Sequence, residues 1–167
     1  MRSTPTDNKP PYNAIISKDG TENFNTTVGA IFIAPNHSVN PFFIKINKGT
    51  YQEYIRVDKK KINIILIGEG MDTTIIMGNR SFVDDNKIYD TAAIVALRVE
   101  AYLTSFYRCQ FNGYHDTLYV KRQHQFYRDC EIYGTIDFIC GDAATLSQNY
   151  LILAHVPLAK QYNTILA

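Results

Sequence analysis

One segment of this chain is written twice. Phe106-Tyr107-Arg108-Cys109 runs on through Gly113 to Asp116, and Phe126-Tyr127-Arg128 runs through Cys130 and Gly134 to Asp137. With one residue inserted at Asp129, Cys109 aligns with Cys130, Gly113 with Gly134 and Asp116 with Asp137, each at a spacing of 21. A period of about 20 residues rich in β-formers marks a parallel β-solenoid, in which each coil stacks on the last. Neighbouring strands lie about 4.8 Å apart, so residues one period apart sit above one another. The repeat therefore predicts two aspartates side by side on one face.

The rest of the chain agrees with many short strands. Phe42–Ile46, Tyr54–Val57, Ile62–Ile67, Thr73–Met77, Ile94–Val99, Leu103–Cys109, Thr117–Val120, Gln125–Ile132, Ile136–Ile139 and Leu151–Leu153 read as strands separated by turns. Asn47-Lys48-Gly49 ends the first of them, and Asp58-Lys59-Lys60-Lys61 reads as a solvated turn. Thr27–Ala34 reads as a short helix capping the solenoid end. Residues 1–12, with Pro5, Pro10 and Pro11, read as a disordered lead. That leaves one domain over residues 13–167, long enough for a real core.

Bulk properties exclude several functions. The net charge of +1 gives no electrostatic case for nucleic acid or an anionic membrane. No apolar run approaches the roughly 20 residues of a membrane span. No dinucleotide or P-loop glycine pattern occurs. Met1–Tyr12 has no apolar h-region, so no signal peptide is legible there. Asn25-Thr26-Thr27, Asn36-His37-Ser38 and Asn79-Arg80-Ser81 fit the glycosylation sequon and lean towards secretion. Of three cysteines, Cys109 and Cys130 face each other across one coil, either as a disulfide or as two small buried side chains.

Two stacked carboxylates repel, so one holds its proton more tightly than the other. Asp137 is flanked by Ile136, Phe138 and Ile139, and Asp116 by the more polar His115, Thr117 and Tyr119. Such a pair serves retaining glycoside hydrolysis, with carboxylates about 5 Å apart. It equally serves ester hydrolysis by a carboxylate nucleophile and a carboxylic acid. A polar ladder with no catalytic role is the third reading.

The stretches GTYQE (49–53), GNRSFVDDNKIYDTA (78–92), VALRV (95–99), GYHDTLY (113–119), QFYRDCEIYGTIDFICGDAA (125–144) and QYNTI (161–165) resemble plant pectin methylesterases, in the right order, from Asn13 to the last residue. The resemblance implies a right-handed parallel β-helix that removes methyl groups from esterified homogalacturonan, with no metal or organic cofactor. It implies Asp137 as nucleophile and Asp116 as proton donor and acid/base. It further implies secretion to the cell wall, pectin as partner, a proteinaceous pectinesterase inhibitor as a second partner, and a monomer. Polygalacturonase-type stretches are not present beyond an isolated Asp84-Asp85.

The chain departs from the family pattern at several places. His115 stands where the family has an oxyanion-stabilising Gln, and Ala93 where it has a second. About a coil of family sequence has no counterpart between Ala92 and Ala93, and the stack would have to close up across that gap. The family's L-G-R-P-W stretch, whose Arg orients the nucleophile, does not occur, and the chain has no Trp. The β-helix is thus expected to be incomplete at its C-terminal end, with an open apolar edge. Tyr150 stands where the family often has the disulfide partner of Cys130, Cys140 stands in place of an aromatic, and His124 in place of an Arg, facing solvent. Tyr51 and Glu53 are read as structural, and Arg128 as pairing with a neighbouring acid in the stack. The resemblance leaves two outcomes open for this chain: an active pectinesterase, or a non-catalytic relative that binds pectin or the inhibitor.

Overall fold

A computed structural model describes residues 11–78, 96–157 and 159–167. β1 (Ala14–Ile16) and α1 (Thr27–Ile33) come first. β2 (Phe42–Ile46), β3 (Gly49–Gln52) and β4 (Ile55–Val57) make one coil, and β5 (Ile64–Gly68), β6 (Thr74–Met77) and β7 (Leu97–Val99) the next. β8 (Thr104–Tyr107), β9 (Gln110–Asn112) and β10 (Leu118–Val120) follow, then β11 (His124–Gly134) with β12 (Ile139–Cys140), and β13 (Ala144–Ala154) starts a further turn. Every strand pairing is parallel, so the chain is the expected parallel β-helix. Among the described residues one sheet has nine strands and the other four. The larger one wraps two faces because β11 bends around a corner, pairing with β8 through Gln125–Arg128 and with β9 through Glu131–Tyr133.

The corners are columns of left-handed residues. Asn63, Leu103 and Gln123 precede the strands of the first face. Arg108, Asp129 and Asn149 separate the first from the second, and Asp116 and Asp137 precede the third; all have φ between 46° and 77°. A left-handed non-glycine residue costs about 1–2 kcal/mol, less for Asn and Asp, whose side chains bond locally. Each corner is held by hydrogen bonds to the next coil, such as Arg108 N to Arg128 O at 3.1 Å and Leu103 N to His124 O at 3.1 Å.

The register corrects the repeat. Phe106 pairs with Tyr127, not Phe126, and Tyr107 pairs with Arg128, so the spacing is 21 through the whole coil and nothing is inserted at Asp129. The reason is packing. Phe106 and Tyr127 are buried and their rings stack at 5.0 Å and 9°, continuing a column through Ile44 and Leu66. Placing Phe126 there would turn every side chain of the strand to the wrong face. Each such fully buried side chain contributes roughly 1.5–3 kcal/mol.

Several strand bounds also shift. β1 and β3 were not expected, and Gly49, after the turn that ends β2, opens β3. Leu103–Cys109 breaks at the Arg108 corner, and Ile136–Ile139 is mostly turn, with the strand starting only at Ile139. The short helix is where it was expected. Its N-terminal N–H groups of Thr27 and Val28 donate to the Glu53 carboxylate at 2.8 and 3.0 Å, an anion placed on the positive end of a helix. Lys61, read as solvated, instead donates to the carbonyls of Phe32 and Ala34 and caps the other end. Tyr51 donates to Asn47 O at 2.8 Å.

The ladder closes across the expected gap: β4 pairs directly with β7, Ile55 against Leu97, and β5 with β8. Ala93, Tyr89–Ala92 and the Asn79 sequon lie outside the described residues, as do the first ten residues of the expected disordered lead. All three cysteines are free. Cys109 and Cys130 are buried and donate to carbonyls within their own strands' corners, Cys109 to Tyr107 O at 3.4 Å and Cys130 to Arg128 O at 3.2 Å. Tyr150 lies directly over Cys130 in the ladder, where the resemblance puts the missing disulfide partner. Arg128 lies near its sequence neighbour Asp129, 3.7 Å away, rather than an acid in an adjacent coil. β13 sits at the sheet edge with most of its side chains exposed, Leu146 and Ile152 among them. Among the described residues no helix is long and apolar enough to cross a membrane.

Two repeated glycines serve close approach. A Cβ on Gly134 would collide with the Phe138 ring, and one on Gly113 with the Thr117 side chain, four residues on in each coil. Gly134→Ala is expected to cost about 1–3 kcal/mol, the range for overpacking a full core, read as an earlier midpoint in urea unfolding with an unchanged slope.

Candidate active site

The third corner brings the two repeat aspartates together. Asp116 has φ 46° and Asp137 φ 48°, each just before a strand of the four-stranded sheet. Asp116 N donates to Ile136 O at 3.2 Å, and Leu118 N to Phe138 O at 2.9 Å, so the two turns are stacked in register. Leu118 pairs with Ile139 at the same spacing of 21. Beneath them Thr117 is buried and donates to Tyr133 O at 3.0 Å, and Phe138 is fully buried. Inward anchors at Thr117 and Phe138, each next to a left-handed aspartate, leave both carboxylates half-buried at the surface.

Their environments differ. Burial pushes the Asp116 carboxyl above its ordinary value and the Asp137 charge adds to this, while a hydrogen bond from Cys140 and the His115 charge pull the other way. The sequence flanks put Asp137 in the more apolar setting. The structure instead raises Asp116, because flanking residues in a β-coil alternate inward and outward and do not line their neighbour's side chain. His115 lies at the site, half-exposed. Ala93 cannot be placed, being outside the described residues. His124 is exposed, as expected, against Tyr102 at 5.4 Å. Among the described residues no lysine or arginine is within ion-pair distance of Asp137.

One group near the site, His155, was not singled out in the sequence, and Cys140, noted there only as standing in place of an aromatic, reaches the acid. The Cys140 sulfur is 3.7 Å from Asp116 Oδ1. His155 Nε2 donates to Asn112 Oδ1 at 3.0 Å, and its ring stacks on Tyr133 and lies 5.5 Å from the half-exposed Tyr114 ring, just before the Asp116 turn. The repeat contained one of these signals, since Cys140 is 21 residues after its ladder partner Tyr119; the next coil is one residue shorter and pairs Gly134 with Ala154. A cavity of about 550 Å³ lies elsewhere, under β13, lined by inward residues including Leu118, Tyr127, Ile139 and Tyr150.

A raised carboxyl pKa has a definite sign. Its stabilising contribution is complete below the unfolded value of 3.8 and is lost as pH rises through the higher folded value. At neutral pH the Asp116 carboxylate therefore costs stability. Asp116→Asn is expected to melt at a higher temperature than the wild type at pH 7, with the gain closing at about pH 3, in thermal scans followed by circular dichroism.

A family model described as Pectinesterase matches residues 13–95 and 92–167, two stretches that meet where the resemblance puts the missing segment. A pectinesterase/pectinesterase inhibitor of Prunus persica is 43% identical over 179 residues, covering 92% of this chain and 34% of that protein. The carrot pectin methylesterase structure superposes with a TM-score of 0.75 at 32% identity, over 96% of this chain and 58% of that one. A pectin methylesterase mutant solved in complex with a hexasaccharide gives a TM-score of 0.65 at 28% identity, over 90% and 57%. The chain spans about a third of the length of the first curated relatives it matches. Matched over nearly its whole length by both sequence and fold, the chain belongs to the pectinesterase family.

Proposed function

We propose that this chain hydrolyses methyl esters of homogalacturonan, with Asp137 as nucleophile and Asp116 as acid/base. The observation that carries this is the stacked pair itself: two carboxylates on one corner column, with the Asp116 carboxyl pushed above its ordinary value by burial. Asp137 attacks the ester carbonyl. The developing oxyanion meets the His115 position, whose imidazole N–H can donate a hydrogen bond. As the carbon–oxygen bond breaks, the Asp116 proton passes to the methoxy oxygen and methanol leaves. Water then attacks the acyl-enzyme, Asp116 takes its proton, and free galacturonate departs from a regenerated Asp137 carboxylate. The paired carboxylates alone would equally suit a glycosidase; membership of the pectinesterase family favours the ester. The same membership favours secretion to the cell wall.

One observation favours a second reading. Asp137 has no lysine or arginine within ion-pair distance among the described residues to orient it as a nucleophile. A non-catalytic relative that binds pectin, or the inhibitor that the names of the curated relatives mention, would need no such group.

Methanol release from highly methyl-esterified homogalacturonan separates the two. The first reading expects turnover that Asp137→Asn abolishes and Asp116→Asn lowers by about 10²–10⁴-fold, the usual yield of general acid–base catalysis. Binding of the polymer without methanol, by a chain that is folded, would establish the second.

A further inference from the structure

Cys140 lies on β12 beside Tyr119 of β10, facing out with it. Its sulfur is 3.7 Å from Oδ1 of Asp116 and 3.9 Å from Leu118 O. A phenylalanine ring, which the resemblance puts at this position, could not donate to the carboxyl. A thiol can donate, though weakly.

We propose that Cys140 is a positioning residue for Asp116: its S–H donates to Oδ1, fixes the plane of the carboxyl group, and leaves Oδ2 as the oxygen that carries and delivers the proton. This rests on the reading of Asp116 as the acid/base. A protonated carboxyl has one donor oxygen and one acceptor oxygen. With Oδ1 engaged as acceptor, the acidic proton resides on Oδ2, free to pass to the methoxy oxygen as the ester bond breaks. Oδ2 then regains a proton from the water that opens the acyl-enzyme. The thiol keeps its own proton throughout. Burial first, then the Asp116 and Asp137 carboxylates, push it up to about 12, so it is a donor at every pH where the site could work and is not itself a nucleophile.

The groups facing this contact are Asp116, Asp137 and His115. The test compares the wild type with Cys140→Ala, which has no donor, and Cys140→Ser, which has one. All three are first checked for fold by circular dichroism. The Asp116 carboxyl is then titrated by carbon-13 NMR. Loss of a donor to the ionised form is expected to raise its pKa by about half a unit in Cys140→Ala, with Cys140→Ser returning it to the wild-type value or below. An unchanged titration in Cys140→Ala, or a shift that Cys140→Ser does not reverse, overturns the proposal. Where methanol release is measurable, the basic limb of kcat/KM should move up with the NMR value in Cys140→Ala while KM holds; a limb that does not move also overturns it. No methanol from the wild type, alongside the reversible NMR shift, sinks the esterase reading and leaves the hydrogen bond to Asp116 standing.

Discussion

Everything in this molecule depends on parallel coils meeting in register. No single coil can bury its apolar face; Ile44, Leu66, Phe106 and Tyr127 become core only because each lies over the last. Registering the coils requires that the corners also stack. Left-handed residues recur at equivalent positions, and their backbone groups bond to the next coil rather than to water. Leu103, Arg108 and Gln123 take this conformation without the local compensation that Asn or Asp has, so it is ladder bonding and core stacking that hold them there.

The same constraint produces the candidate chemistry. A column that turns the chain at equivalent points also puts whatever side chains occupy it side by side. At the third corner these are Asp116 and Asp137. For folding the pairing is unfavourable: two partly buried carboxylates at one corner repel, and burial pushes the Asp116 carboxyl above its ordinary value. That this corner is supported from within by Thr117 over Gly113 and Phe138 over Gly134 explains how the repulsion is borne without splaying the turns. Sites that work at the expense of stability are common in enzymes.

Much of this was legible in the residues. The common spacing of Cys109 and Cys130, Gly113 and Gly134, and Asp116 and Asp137 contained the stack and the carboxylate pair before any coordinates. What misled was the identity of Phe-Tyr-Arg in the two copies. Matching letters put Phe126 over Phe106, whereas the pleat puts Tyr127 there, since a strand's faces alternate and only one registration keeps the core filled. Glu53 and Lys61 were hidden for a different reason: each caps α1 from more than 20 residues away, and no local pattern encodes a cap made by another coil. His155 was hidden because the last coil pairs at a spacing of 20 rather than 21, and the reach of Cys140 to Asp116 is set by the packing of the two turns.

The sequence by itself determined a period, and with it a parallel β-solenoid whose two aspartates share a face; its motifs determined the family. A period is a property of the chain alone. The tertiary structure decided which of two adjacent aromatics enters the core, that Cys109 and Cys130 are buried thiols with separate carbonyl partners, that β4 pairs directly with β7, and that the Cys140 thiol reaches Asp116. Those choices are made by packing between coils, where the competing arrangements differ by side-chain volume and hydrogen-bond geometry across 20 to 40 residues of chain, and no local stretch contains that comparison.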